Sequence, residues 1–362
     1  MSVRKFRKST ITDVAVAAGV SKGAVSAYVS GRTSVCSAET AERIEKAISE
    51  LHYSRGPVMR GARDRSTDTI GVVLHELRAY DDVLDDHYNF RLRCGIQSVM
   101  NEHELALMTY PASALNNLAN YSPFVDGRVD GLLMGAGLRD TRPEKIASAG
   151  LPIVVFGRYK LLPYGCGAAF ASEKDIVELA MDHFWSLGHR RIAHVSGPIA
   201  DVPMTFGNPD SVHEASIWRF RHYVDWMSER RAYDPLLHFS AEDWKLSDDR
   251  ANFILDFWSV LPNPPTAVFC ANDQLGISLM RVARSRDLHV PGDLSIIGVD
   301  DDMRSAPAGL TTVNAPIEEV GRAGANALLD LMTGANTADC RRMIPVTELI
   351  VRNSTWPLAA KA

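Results

Sequence analysis

The chain has 362 residues, is 46% hydrophobic and 23% charged, and carries a formal net charge of −5, which suits a globular protein of two or three domains. No apolar run approaches the length of a membrane span, and the five cysteines (Cys36, Cys94, Cys166, Cys270, Cys340) lack metal-ligand spacing, so a membrane protein and a zinc module are both excluded. The charge is uneven, +6 over residues 1–66 and −11 over the rest, so only a small basic head is suited to meet a polyanion.

Residues 1–9 (MSVRKFRKS) are basic but lead into no apolar segment. No export signal is therefore expected, and scattered free thiols fit a reducing cytoplasm. From Thr10 to Gly31 the chain reads as two short helices broken by one glycine. Thr10 or Thr12 can cap the first, with Asp13 at its positive end. Val14, Ala15, Ala17 and Ala18 give it a small apolar face. Gly19 supplies a turn and Ser21 a second cap. On the second helix Val25 and Val29 point inward beside Val20, leaving Lys22, Gly23, Ser26, Ala27 and Ser30 outside. This is helix-turn-helix geometry, with an ordinary helical hairpin as the bland alternative. A third helix is expected from Ser37. Its Ala41, Ile44, Ile48 and Leu51 recur three and four apart, a stripe that can close over the first two.

Residues 54–69 form a linker rich in Arg, Gly and polar side chains. Its arginines Arg55, Arg60, Arg63 and Arg65 suit it to lie along phosphates. From Ile70 short apolar, β-rich runs alternate with helical stretches. The runs are IGVVL, DGLLMG (130–135), PIVVF (152–156), RIAHVSG (191–197), TAVFCAN (266–272) and LSIIGVD (294–300). The helical stretches are 92–103, 173–187, 214–231, 247–258 and 274–287. Such alternation predicts parallel α/β sheets. A body of roughly 290 residues exceeds one sheet core, so two lobes are expected.

These motifs, in this order and spacing, resemble the lactose-repressor/galactose-repressor (LacI/GalR) family of bacterial transcription regulators over essentially the whole length. The stretches that carry the resemblance are TITDVAVAAGVSKGAVSAYVSG, SAETAERIEKAISELHY, RVDGLL (128–133), LPIVVFGR (151–158), LGHRRIAHVSG (187–197), residues 265–301 and residues 310–332. The resemblance implies an all-α helix-turn-helix head over residues 1–53, a hinge over 54–69, and an α/β body over 70–362 like a type I periplasmic binding protein. It places lobe 1 at about 70–169 and 311–328, and lobe 2 at about 170–300 and 339–356. Crossovers would fall near Ala168–Ser172, Asp300–Thr311 and Leu328–Asp339. It further implies a homodimer on a palindromic operator in double-stranded DNA, with a small-molecule, carbohydrate-type effector between the lobes. No cofactor, metal or membrane partner is implied. The chain ends STWPLAAKA without a heptad tail, which favours a dimer over a tethered tetramer.

Carried over by alignment, Lys22, Gly23 and Ala27 occupy the base-reading positions. Ala27 stands where the family commonly has an arginine, so the commonest specific contact, arginine to guanine, cannot form there. Lys22 is the one long reader left, while Gly23, Ala24 and Ala27 would let the helix backbone approach the groove floor. Thr10, Ser21, Ser26 and Ser30 are candidate phosphate donors. In the hinge the family's wedging leucine aligns with Ala62, whose methyl cannot hold a base step open. Met59 is the substitute in reach, flanked by Arg60 and Arg63, and weak kinking at the operator centre is expected.

In the body the effector positions align with Ser172, Ser216, Asn272 and Asp300. Ser172 and Ser216 stand where the family usually has an aspartate and an arginine. Asn272 and Asp300 fall at C-terminal strand ends, where open α/β sheets bind ligands. An insertion after Val73 adds Tyr80, Tyr88 and Phe90 with four aspartates at the cleft mouth, either stacking groups or a solvated acidic loop. An enzyme is not expected: the GAG at 135–137 lacks the third glycine of a dinucleotide fingerprint, and no nucleophilic triad stands out. A transport solute-binding protein shares the body but leaves the basic head unexplained.

Overall fold

A computed structural model describes residues 10–29, 37–51, 66–74, 87–110, 121–136, 140–157, 166–199, 214–241 and 244–358. The chain divides into two compact units, Met1–Thr67 and Asp68–Ala362.

The described residues of the first unit hold three helices, α1 (Ile11–Ala18), α2 (Lys22–Val29) and α3 (Ala38–Glu50). A capping box starts α1: the Thr10 amide donates to Asp13 Oδ2 (2.7 Å), and the Asp13 amide to Thr10 Oγ1 (3.3 Å). Gly19 ends α1 at φ +64°, the left-handed conformation a glycine adopts without strain, and so redirects the chain into α2. The Ala24 amide donates to Ser21 Oγ at the start of α2, and the Thr40 amide to Ser37 Oγ at the start of α3. Val14, Ala15, Ala18, Val25, Ile44 and Ala47 are buried together, with Ile11, Val20, Tyr28, Val29, Ile48 and Leu51 around them. Ala17 is exposed rather than part of that face, because a helix this short turns only three of its alanines and valines inward.

The second unit is built on two six-stranded sheets. In chain order its elements are β1 (Thr69–Val73), α4 (His87–Glu102), β2 (Ala106–Thr109), β3 (Gly131–Gly135), α5 (Arg142–Ser148), β4 (Ile153–Phe156) and β5 (Cys166–Ala171). Then come α6 (Glu173–Ser186), β6 (Ile192–Ser196), α7 (Glu214–Glu229), β7 (His238–Ser240), α8 (Asp248–Ser259), β8 (Ala267–Cys270) and α9 (Asp273–Ser285). The last part holds β9 (Ser295–Val299), α10 (Ser305–Ala308), β10 (Thr311–Val313), α11 (Ile317–Met332), β11 (Arg341–Ile344) and β12 (Leu349–Ile350). The first sheet runs β11-β5-β4-β3-β1-β2 and the second β12-β10-β9-β8-β6-β7. Every pairing is parallel except β10 with β12. Both orders reverse direction once, between β1 and β3 and between β6 and β8, which opens a crevice at the C-terminal strand ends.

The chain passes between the sheets three times. The first passage follows β5 at Ser172, as the resemblance implies. The second follows β10, over Asn314–Pro316, not between Asp300 and Thr311: Thr311–Val313 pairs with Ile297–Val299 and still belongs to the second sheet. The third follows β11, over 345–348, not before Asp339, because Arg341–Ile344 pairs with Ala168–Ala171 in the first sheet. The three passages are bonded to one another. The Ser172 amide donates to Ile344 O (2.9 Å), the Val346 amide to Asp175 Oδ2 (3.1 Å), and the Asn314 amide to Glu348 O (2.9 Å).

On the first sheet α4 and α11 pack backbone to backbone. A methyl on Gly95 would collide with the Glu318 carbonyl, and one on Gly321 with the Leu92 carbonyl. The two glycines make this approach possible, and it sets where the first turns of α4 point.

Candidate nucleic-acid interface and ligand cleft

In the head, α2 presents Lys22 and Gly23 fully to solvent, with Ala24, Ser26 and Ala27 half-buried. Ser21 accepts the Ala24 amide (3.2 Å) through an oxygen lone pair, so its own proton stays free to donate. Thr10 differs: its hydroxyl donates to Asp13 Oδ2 at 2.7 Å, so the proton expected on a phosphate is already committed. Ser30, Met59, Arg60, Ala62 and Arg63 lie outside the described residues, as does Tyr80 in the insertion.

The cleft is built from helix starts and strand ends. Asn272 caps α9 with Oδ1 on the Leu275 amide (2.9 Å) and donates Nδ2 to the Trp244 carbonyl (3.0 Å). Ser172 caps α6 through the Asp175 amide (3.3 Å). Both therefore have structural work of their own. Ser216 on α7 does not: it is fully buried and its hydroxyl has no hydrogen-bond partner among the described residues. Asp300 ends β9 at φ +103°, a conformation that strains any residue with a Cβ and concentrates at functional sites. Its amide is held by the Val313 carbonyl at 2.9 Å. Its carbonyl accepts from Arg91 Nη1 at 2.8 Å, a bond from α4 on the first sheet to β9 on the second.

Residues that the motifs do not pick out complete the site. Arg219, 5% exposed and one turn beyond Ser216 on α7, donates Nε to Glu173 Oε2 at 2.7 Å and Nη1 to the Ala271 carbonyl. Glu173, the first residue of α6, directly follows Ser172. The resemblance leads to a cation at position 216 and an anion at 172. The chain carries them three residues and one residue later, and they meet as a buried ion pair. The spacing could have revealed this, since residues 216 and 219 share a helix face.

Burial pushes the Asp300 carboxyl up to about 6, opposed by Arg219 and raised further by Glu173. Desolvation first, then the Asp300 and Glu173 carboxylates, holds the Tyr88 phenol above its usual range. Tyr88 as a residue is 46% exposed. Phe90 is not brought into this group. It lies two residues on, on the opposite side of α4 from Tyr88 and Arg91, and is 65% exposed.

Two arginines and two carboxylates thus face one another, and Asp302, which also acts on Asp300, is paired with Arg304 at 2.7 Å. Among the described residues, no cluster of His, Cys, Asp and Glu could hold a metal ion. No helix among them is long and apolar enough to cross a membrane.

Residues 10–56 match the family described as bacterial regulatory proteins, lacI family, and residues 181–355 match a periplasmic binding protein-like domain. The HTH-type transcriptional regulator reg1 of Streptomyces lividans is 30% identical over 362 residues, covering 95% of this chain and 96% of its own. The HTH-type transcriptional regulator CelR of Thermobifida fusca is 29% identical, covering 97% of this chain and all of its own. Among solved structures, a CelR–cellobiose complex shares 26% identity at a TM-score of 0.65 over 96% of this chain and 99% of its own. A lac repressor dimer bound to operator and an anti-inducer shares the fold at a TM-score of 0.75, with 24% identity over 97% of this chain and all of its own.

Proposed function

The chain belongs to the LacI family of bacterial regulatory proteins, and from that premise we propose that it represses transcription as a cytoplasmic homodimer whose operator affinity is set by a carbohydrate-type ligand in the cleft. It is a DNA-binding transcription regulator, not an enzyme and not a transport protein. The observation that carries the reading is one chain holding both a basic, capped helix-turn-helix and a two-lobed body whose cleft displays polar groups without partners.

On the DNA, α2 enters the major groove. Lys22 reads a base edge, and Gly23, Ala24 and Ala27 let the backbone come close. Ser21 and Ser26 donate to phosphates, with Ser30 and the hinge arginines Arg60 and Arg63 alongside. The hinge, with Ala62 and Met59 in place of the usual wedge, bends the operator weakly. Dimerisation supplies the second half-site, since one small head buries too little DNA for tight specific binding. In the cleft Tyr88, Asn272 and Asp300 face the ligand, with Ser172 behind them as a cap and Ser216 sealed beneath. Ligand binding changes how the two lobes sit across their three crossovers, and coupling of about 1–3 kcal/mol changes operator affinity about 5- to 150-fold.

Gel shifts of genomic fragments with the full-length protein, at two salt concentrations and with neutral saccharides including cellobiose, test this. Expected are salt-sensitive, fragment-selective complexes whose affinity changes with at least one saccharide. Fragment-independent binding would overturn the regulator reading.

A further inference from the structure

A buried arginine needs more than one carboxylate to be at rest, because all five of its N–H groups have left water. Arg219 has Glu173 on Nε and the Ala271 carbonyl on Nη1. Its Nη2 has no hydrogen-bond partner among the described residues. The Asp300 carboxylate and the Tyr88 hydroxyl act on the same guanidinium, and neither has a hydrogen-bond partner among the described residues. These three groups are one donor, one acceptor and one hydroxyl, an arrangement that complements a ligand bearing several hydroxyls.

Charge narrows the ligand further. The Arg219 cation is already matched at 2.7 Å by Glu173, Arg91 stands 3.5 Å from Glu318, and Asp300 adds a further carboxylate. We propose that the Arg219–Glu173 pair is a specificity determinant of the cleft. It makes Arg219 a hydrogen-bond donor without a spare charge, so the site takes an uncharged polyhydroxylated ligand and turns away its carboxylate- or phosphate-bearing counterpart. An acidic ligand would stand beside Glu173 and Asp300 with no free cation between them, and in a partly desolvated site one such contact exceeds tenfold in affinity. This inference rests on reading the cleft as the effector site.

The test is calorimetric titration of the full-length protein with glucose and glucuronate, galactose and galacturonate, and cellobiose and maltose with their uronic acids. The neutral member of a binding pair is expected to bind at least tenfold tighter than the acid. Glu173→Gln, which leaves the Arg219 charge unmatched, shrinks or inverts that ratio. Asp300→Asn moves it the same way and serves if the Glu173 variant does not fold. An acid that binds the unaltered protein as tightly as its neutral partner overturns the inference and leaves the cleft reading intact. So does a ratio that neither variant moves. If none of the saccharides binds, the carbohydrate reading of the cleft itself falls, while the DNA-binding reading stands.

Discussion

At Ser216 the burial beneath the cleft is open to direct test. A buried hydroxyl without a partner costs about 1–3 kcal/mol, because it has lost water and gained nothing. In the absence of ligand, Ser216→Ala is therefore expected to melt at the same or a higher temperature than the unaltered protein. Because that oxygen is sealed from the cleft, the same variant is expected to leave effector affinity unchanged. A large drop in melting temperature would mean that the hydroxyl has a structural role.

A second prediction concerns Asp273. It is 1% exposed and accepts from the Asp302 amide (2.7 Å), Ser305 Oγ (2.6 Å) and Thr312 Oγ1 (2.6 Å), yet burial pushes its carboxyl up to about 8. A carboxyl with a raised pKa holds its proton longer in the folded chain, so its contribution to stability declines as pH rises from the unfolded value toward 8. Buried His194 is shifted the other way, down to about 3, and His238 is also lowered, in both cases by burial first. Their contributions are lost as pH falls below the ordinary histidine value. The two trends oppose each other below about pH 6.5. Between pH 7 and 8 Asp273 acts without that opposition, and melting temperature should fall as pH rises. Asp273→Asn should flatten that slope, and an unchanged slope would assign it to another group.

The candidate site is partly legible in the sequence. Motif positions lead to Asn272, Asp300 and Ser216 as candidates. They do not lead to Arg219 and Glu173, since a cation that stands one turn further along a helix leaves the aligned position looking empty.

At the scale of elements, helices with a clear stripe were readable. Ile44 and Ile48 on α3, and the apolar runs that became β1, β3, β4, β6, β8 and β9, announced themselves by periodicity or hydrophobicity. Three other strands did not. RRMI at 341–344 is charged because it is an edge strand, CGAAFA at 166–171 beside it is made of small residues because α11 lies close above it, and TTV at 311–313 is too short to show a period. Missing β10 and β11 displaced two crossovers in the expected map.

The α4–α11 contact makes a sharper claim, because neither Gly95 nor Gly321 has room for a methyl group. Gly95→Ala or Gly321→Ala should cost about 1–3 kcal/mol or more in urea unfolding, through overpacking against a backbone that cannot yield. A neutral result for both would mean the helices can slide apart. The other load on α4 is Arg91, the bond from the first sheet to the strained Asp300 peptide. Arg91→Ala should speed amide exchange over residues 301–304, and Arg91→Lys, which keeps one donor, should restore part of the protection. Equal exchange in all three proteins would remove Arg91 from the contact between lobes.

For the molecule as a whole, the charge asymmetry and the two-unit division separate the tasks. The +6 head meets phosphates, so affinity should fall with salt in proportion to the contacts it makes, and the −11 body should add nothing attractive. If Lys22 reads a base edge as proposed, Lys22→Ala should cost about 1–3 kcal/mol on the preferred operator and much less on unrelated DNA. The body's part is to make that affinity conditional, and the linkage is reciprocal: whatever the ligand does to operator affinity, the operator does to ligand affinity.

The most direct test is fluorescence anisotropy of the full-length protein on its selected operator, with and without a saturating concentration of a saccharide that binds the cleft. The account predicts a change in operator Kd between about 5- and 150-fold, with non-specific DNA affinity unaltered. An operator Kd that stays the same when the cleft is fully occupied would contradict it.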